Sequence, residues 1–372
     1  GAQVSPIRAG SVVRVRGRKW LSPRSTLNCG NSGTTARLVL GALAGFPLSA
    51  RLTGDASLRR RPMRRVTEPL VAMGAEVTYE GEDGLPLRVR GGTLRPIAYR
   101  MPVASAQLKS ALLLAGLVGG VDVSVSEPAR SRDHTERLLR SLGAEIRVEG
   151  ASIEFRGSPG LLAHLAPFGL ALPGDISSAV FMIGVALLAD EGELAILGVG
   201  VNPTRTRVLE ALRRMGADVE IRSPRDRGGE PVADLVVRPG RLSGTLVPAD
   251  EVPGLIDEIP ILAVLASRAD GETRFESVGE LRHTESDRLA LIARNLETLG
   301  SEARVEGDDL VVVGGVGRPK GIVETGGDHR IAMAFAVLGM VKGAGVRLSE
   351  TASVAVSYPG FFADLARITR RD

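Results

Sequence analysis

The sequence predicts an α/β protein assembled from repeated units, and three observations carry that prediction. A Gly-Ala-acid-aliphatic quartet recurs as Gly74-Ala75-Glu76-Val77, Gly143-Ala144-Glu145-Ile146 and Gly216-Ala217-Asp218-Val219, with a looser copy at Gly300-Ser301-Glu302-Ala303; the spacings are 69, 73 and 84 residues. Each copy follows a stretch with apolar residues three or four apart, such as Val66, Leu70 and Met73 or Val208, Leu212 and Met215, the period of an amphipathic helix. Each is followed by a turn and an alternating run such as Leu87-Arg88-Val89-Arg90 or Leu235-Val236-Val237-Arg238, the period of a half-buried strand. The unit is therefore helix, glycine cap, strand, turn, strand. The glycine ends the helix in the left-handed conformation that other residues adopt only at a cost.

A further copy, Gly1-Ala2-Gln3-Val4, precedes the second by 73 residues and is followed by the apolar run Val12-Val13-Arg14-Val15, expected as its strand. It has no helix in front of it. A strand of this kind needs the helix of its own unit to cover its face, so the expectation is that the first unit is incomplete and that sequence upstream of it is absent from the chain. At 372 residues there is enough chain for two domains with full cores. No Ser-rich linker marks the division; the best boundary is around Ala171-Leu172-Pro173-Gly174, giving domains 1–172 and 173–372.

Composition narrows the function classes. The longest apolar stretch, Ala179 to Ala189, is far too short to span a bilayer. No charged-then-apolar leader opens the chain, so a cytoplasmic location is expected. Cys29 is the one cysteine, which excludes an internal disulfide. Only four of the 47 basic residues are lysine, so 43 are arginine, the side chain suited to bidentate capture of carboxylate and phosphate. Aromatic residues make up 3% and 43 acids interleave with the bases, which argues against a nucleic-acid partner and for small anionic substrates.

The most informative segment is Asn28-Cys29-Gly30-Asn31-Ser32-Gly33-Thr34-Thr35-Ala36-Arg37, a glycine-relaxed loop running into the apolar helix pattern that begins at Leu38. Unpaired N–H groups and the positive dipole end converge at such a junction, which suits an anion. The stretch is neither a Walker loop nor a dinucleotide fingerprint. An ordinary Gly-Thr helix start has the same composition.

The chain resembles the enolpyruvyl transferases of the EPSP synthase family, and the resemblance runs through its whole length. LNCGNSGTTARL matches the signature loop, and GDASLRRRPM, VASAQLKSALLLAGL, SRDHTERLL, VNPTRTRVLEALRRMGADV, IDEIPILAV, LRHTESDRL, GGDHRIAMAF and VSYPGFFADLARI follow in the family's order. The resemblance implies two similar inside-out α/β domains built from six βαβαββ units, three per domain, the first unit incomplete here. It also places the domain crossover near residue 172 and implies that the N-terminal strand, absent here, returns to the C-terminal domain. The implied reaction joins the enolpyruvyl group of phosphoenolpyruvate to the 5-hydroxyl of shikimate 3-phosphate by addition and elimination, with no metal or organic cofactor and, by expectation, as a monomer. The four histidines, His134, His164, His283 and His329, are scattered and suggest no metal cluster.

By the same resemblance the catalytic carboxylates are Asp257 and Glu285. Asp257 enters an apolar helix, where burial would raise its pKa toward that of a useful base for the 5-hydroxyl proton. Glu285 falls at a plausible helix start and would move the methylene proton; N-terminal helix acids favoured by the dipole are the structural alternative for both. Phosphoenolpyruvate is expected at Gly33, Arg61, Gln107, Arg288 and Arg330. Shikimate 3-phosphate is expected at Ser105, Ala106, Gln107, Ser131, Arg132 and Asp257. His329 reads as an orienter, Arg59 and Arg60 as solvated charge, Asn31 and Arg37 as loop supports, and Lys109 as a surface or interdomain residue.

Two departures from the family pattern stand out. The N-terminal segment that supplies a lysine, a serine and an arginine is missing. The family's lysine before the second catalytic acid is Thr284, which leaves Arg282 or Arg132 as possible substitutes; a further basic position near the C-terminus is Val356. Two competing functions are a sister transferase acting on UDP-N-acetylglucosamine, whose reactive cysteine lies in a mobile loop whereas Cys29 lies in the signature loop, and a catalytically inactive, truncated or degenerate chain that only binds ligand.

Overall fold

A computed structural model describes residues 3–6, 12–17, 19–165, 169–315 and 317–369. The chain divides into two compact units, Gly1–Gly169 and Leu170–Asp372. Gly1 and Ala2 of the first quartet lie outside the described residues.

The longer helices of the first unit are α1 (Gly33–Ala44), α2 (Arg64–Met73), α3 (Ala106–Gly119) and α4 (His134–Ser141). Those of the second are α5 (Ile176–Leu187), α6 (Arg207–Arg214), α7 (Ile259–Ala266), α8 (Arg288–Thr298), α9 (His329–Gly339) and α10 (Phe361–Ile368). The four quartet glycines Gly74, Gly143, Gly216 and Gly300 all take the left-handed conformation, with φ between 83° and 118°. Each leads into an antiparallel hairpin: Glu76–Tyr79 with Leu87–Arg90, Ile146–Glu149 with Ser152–Phe155, Asp218–Arg227 with Glu230–Arg238, and Glu302–Glu306 with Asp309–Val313.

One sheet topology is repeated. Leu27–Asn28 runs parallel to Ser49–Thr53, which pairs antiparallel with Leu87–Arg90, which pairs with Glu76–Tyr79. The same order holds for Ile97–Arg100, Val123–Ser126, Ser152–Phe155 and Ile146–Glu149, and again for Leu246–Val247, Glu272–Phe275, Asp309–Val313 and Glu302–Glu306. In the remaining full sheet the first strand shrinks to one parallel bridge, Gly174 to Val199. Lys320–Val323 and Gly345–Leu348 form the parallel opening pair of the pattern. The first hairpin is shorter than its sequence suggests: Gln3–Val4 pairs with Val15–Arg16, and no strand covers Val12 to Arg14.

Helices occupy the interior and sheets the outside. All eight residues of α7 are buried, as are eleven of the twelve in α5 and seven of the eleven in α9. Strands such as Leu87–Arg90 alternate buried and exposed, one face on the helices and one in solvent. In the first unit α1 and α3 touch backbone to backbone: a Cβ on Gly41 would lie 2.2 Å from the Ala111 carbonyl oxygen. That close approach holds the start of α1, with its glycine-rich loop, beside the start of α3.

Candidate active site

The first unit gathers one cluster of predicted residues. Asn28 Oδ1 accepts from the Gly30 amide at 3.0 Å, and Gly30 turns the loop at φ 57°. Ser32 caps α1 by accepting from the Thr35 amide at 3.1 Å, which makes Gly33 the first residue of the helix. A Cβ there would sit 3.4 Å from both Arg37 Nη1 and Arg61 Nη1, so both guanidiniums face this helix start. Asn31 fixes the second of them: its amide donates to Asp55 at 2.6 Å while its Oδ1 accepts from Arg61 at 2.8 Å. Arg59 is tied to the Gly54 carbonyl at 2.9 Å, more than the purely solvated charge expected of it.

Gln107 is held from both ends. Its amide nitrogen donates to Thr34 Oγ1 at 2.8 Å, and its Oε1 accepts from Arg37. Arg37 also donates to the Pro62 carbonyl at 3.2 Å and is 4% exposed. Burial, and then the neighbouring charges of Arg65 and Arg61, push its pKa down to about 10. Arginine stays protonated even so. The shift reflects first the burial of this charge and second its arginine neighbours, and a bound anion would offset both. Ser105 caps α3, accepting from the Leu108 amide at 3.4 Å, and its hydroxyl hydrogen remains available to donate. Ala106 is the first helical residue. Ser131 donates its hydroxyl to Glu127, with its amide 3.3 Å from the same carboxylate. Arg132 lies next to it in the chain.

Lys109 overturns its expectation. It is a buried residue, 1% exposed, with its ammonium 2.8 Å from Glu127 and 2.8 Å from Glu136. A lysine one turn into a helix reads as surface unless the partners that neutralise it are known, and these lie 18 and 27 residues further along the chain.

The second unit gathers the other cluster around Arg288, the first residue of α8, which is 2% exposed. Its Nε is 2.7 Å from Asp328, its Nη2 3.2 Å from Glu285 and its Nη1 3.5 Å from Asp257. Arg330 lies 3.7 Å from the Asp257 carboxylate and donates to the Asp257 carbonyl at 3.2 Å. Glu285 sits in the turn before α8 rather than inside a helix start, and its Oε2 is 3.1 Å from His329 Nδ1. Burial works to raise its pKa, but the His329 hydrogen bond and the charges of His329 and Arg288 outweigh it and hold Glu285 below the usual carboxylate range.

Asp257 also departs from expectation. It lies in a short 3-10 turn, Ile256–Glu258, ahead of α7, and its side chain keeps 23% exposure between the two arginines. The burial expected of Asp257 falls on its neighbour Glu258, which is 2% exposed, accepts from the Ser177 hydroxyl and is pushed up by burial and then by the charge of Asp257. Thr284 spends its hydroxyl on the backbone carbonyls of Leu281 and Ser286, at 3.1 and 3.2 Å. Arg282 donates to the Gly307 carbonyl at 2.8 Å and lies near Asp308, so it is engaged away from the Thr284 hydroxyl. Val356 is 80% exposed.

Asp328, present in the matched motif but given no role from sequence, is the hub of this cluster. It caps α9 by accepting from the Arg330 amide at 2.8 Å, accepts from Ser286 at 2.9 Å, and pairs with Arg288. The signal was available, since an aspartate directly before an apolar helical run is an N-cap. Glu285, Asp328 and His329 place one ligand-type atom each within 4.8 Å of one another, a convergence that the scattered histidines did not suggest. The Arg288 guanidinium lies against both of those carboxylates and already supplies a positive charge there.

Comparison with known proteins gives the family. The model for EPSP synthase (3-phosphoshikimate 1-carboxyvinyltransferase) matches residues 1–365. The 3-phosphoshikimate 1-carboxyvinyltransferase of Desulforudis audaxviator is 48% identical over 356 residues, covering 95% of this chain and 82% of that protein. The Gloeobacter violaceus protein of the same name is 48% identical over 376 residues, covering 100% and 86%. Among solved structures, EPSP synthase from Acinetobacter baumannii superposes with a TM-score of 0.87 at 37% identity, covering 99% of this chain and 84% of that one. The enolpyruvyl transferase NikO from Streptomyces tendae, at 20% identity and a TM-score of 0.73, shares the fold. With its sheet pattern, its signature loop and these relatives in agreement, the chain belongs to the EPSP synthase (3-phosphoshikimate 1-carboxyvinyltransferase) family.

Proposed function

We infer that the chain transfers the enolpyruvyl group of phosphoenolpyruvate to the 5-hydroxyl of shikimate 3-phosphate, releasing inorganic phosphate. The observation that carries the site assignment is the crowding of Arg37 and Arg61 at the start of α1, where Gln107 is fastened to Arg37 and Thr34. Two guanidiniums turned toward one helix N-terminus are poised for an anion.

In this reading, as the family resemblance implies, Gly33, Arg61, Gln107, Arg288 and Arg330 bind phosphoenolpyruvate. Ser105, Ala106, Gln107, Ser131, Arg132 and Asp257 bind shikimate 3-phosphate. Asp257 accepts the proton of the 5-hydroxyl as its oxygen attacks C2 of phosphoenolpyruvate. A proton delivered through Glu285 adds to C3, giving a tetrahedral adduct. Loss of a C3 proton and departure of phosphate from C2 then restore the double bond. His329 orients Glu285 through the 3.1 Å contact. In the free protein Glu285 is held ionised. Substrate anions that draw on the charge of Arg288 remove part of that stabilisation and move the group toward a proton donor. We further propose a cytoplasmic monomer with no nucleic-acid or membrane partner; among the described residues no helix is long and apolar enough to cross a membrane.

The test is phosphate release with both substrates present, in chelator-treated buffer. Release that requires both shikimate 3-phosphate and phosphoenolpyruvate is expected. Release independent of shikimate 3-phosphate refutes the assignment.

A further inference from the structure

Lys109 lies two residues beyond Gln107 on α3, yet its side chain turns into the interior and its side-chain exposure is 2%. Its ammonium meets two carboxylates at the same distance, Glu127 Oε2 and Glu136 Oε1, both at 2.8 Å and each with 1% side-chain exposure. The two acids differ in what they do next. Glu127 accepts the Ser131 hydroxyl and lies 3.3 Å from the Ser131 amide. Glu136 carries its second oxygen, Oε2, buried and without a hydrogen-bond partner. A buried ion pair of this kind is a poor source of stability, because desolvation cancels most of the attraction. One lysine shared by two buried acids is therefore better explained by what it holds in place.

We propose that Lys109 is a positioning residue for the shikimate 3-phosphate end of the site: it fixes the Glu127 carboxylate, which fixes the Ser131 hydroxyl and with it the segment carrying Arg132. The lysine thereby sets the Ser131 segment against the same helix that presents Ser105 and Gln107. The Ser110 and Thr135 hydroxyls, 2.7 Å apart, tie that helix to α4 from the next position along. The inference rests on the proposed function, because it takes shikimate 3-phosphate as the ligand of Ser131 and Arg132.

The two glutamates make an internal control. Shikimate 3-phosphate affinity is measured by titration calorimetry for the wild type, Glu127→Gln, Glu136→Gln and Lys109→Met, with thermal unfolding in parallel. Glu127→Gln and Lys109→Met are expected to weaken binding about tenfold or more, the size of a lost charge-assisted contact. Glu136→Gln is expected to change it by less than about twofold at a comparable loss of Tm, and the KM for phosphoenolpyruvate stays within about twofold in all. Equal effects of the two glutamate variants, or no effect of either, overturn the inference. Should the buried variants fail to fold, Ser131→Ala and Ser131→Thr read the same link from its accessible end. Alanine should weaken binding about tenfold and threonine, which keeps the hydroxyl, should restore it; an alanine variant binding like wild type overturns the inference. A wild-type protein that does not bind shikimate 3-phosphate overturns the proposed function and this inference together, whereas wild-type binding without the split between variants overturns this inference alone.

Discussion

Replacing Asp328 with asparagine removes one charge from the centre of the second cluster. The carboxylate is 1% exposed, and asparagine keeps its size and the side-chain oxygen that caps α9. What disappears is the charge opposite Arg288 together with Oδ2, the acceptor 2.7 Å from Arg288 Nε and 2.9 Å from the Ser286 hydroxyl, whose place the amide N–H group takes, while Arg288 itself stays buried at 2% exposure. Glu285 and Asp257 remain near it at 3.2 and 3.5 Å, so the arginine is under-compensated rather than orphaned. Removing one partner of a buried pair costs about 3–5 kcal/mol, and the remaining acids place this case near the lower figure, about 3 kcal/mol. Denaturant unfolding of the two proteins at pH 7 measures it. The pH dependence supplies the sign. Burial alone would raise the Asp328 pKa, but the Arg288 charge and hydrogen bond, Ser286 and the Arg330 amide outweigh it, so the folded value lies below the ordinary one. A depressed folded pKa means that the stabilisation is full above the unfolded value of about 3.9 and is lost as pH falls through the folded value. The gap between wild type and Asp328→Asn should therefore be flat from pH 7 to about 5 and close below about 4. A cost under about 1 kcal/mol at pH 7, or a gap that does not narrow in acid, would falsify the account of Asp328 as the counter-charge of Arg288.

Two further outcomes follow from single positions at the proposed site. Gly33→Ala adds a methyl in ordinary contact, 3.4 Å from Arg37 Nη1 and Arg61 Nη1, so the fold should be kept. We expect glyphosate to inhibit the wild type competitively with phosphoenolpyruvate, and Gly33→Ala to raise its inhibition constant about tenfold while weakening phosphoenolpyruvate less; a resistant wild type with an indifferent variant would show that Gly33 does not face that ligand. Thr284→Lys gives up one hydroxyl hydrogen bond, shared between the carbonyls of Leu281 and Ser286 and worth about 1 kcal/mol, so Tm should fall. It should still lower the KM for shikimate 3-phosphate or raise turnover about tenfold, because Arg282 is engaged with Gly307 and Asp308. Unchanged or worse kinetics would mean that another cation already serves that position.

The fold was legible because its signals are local. A glycine directly after an amphipathic helix can end it with the left-handed geometry that other residues resist, and Gly74, Gly143, Gly216 and Gly300 all do so. The hairpins that follow are read from period-2 alternation, which a strand on a helical layer imposes on its own residues. The family was legible for a different reason, as ordered motifs matched along the chain. Side-chain environment was not local in this sense. Asp257 and Glu258 are neighbours in one turn, yet one stays partly exposed between two arginines while the other is buried against Ser177; a single residue's rotation along a 3-10 turn decides between them. Lys109 reads as a surface lysine on α3, and only the approach of Glu127 and Glu136 from a loop and another helix lets its charge be buried. Periodicity and capping are properties of consecutive residues, so the sequence by itself determined the units, their order and the candidate side chains. Burial and charge pairing are properties of segments far apart in the chain, so only the tertiary structure decided which of those side chains are buried and which charges they meet.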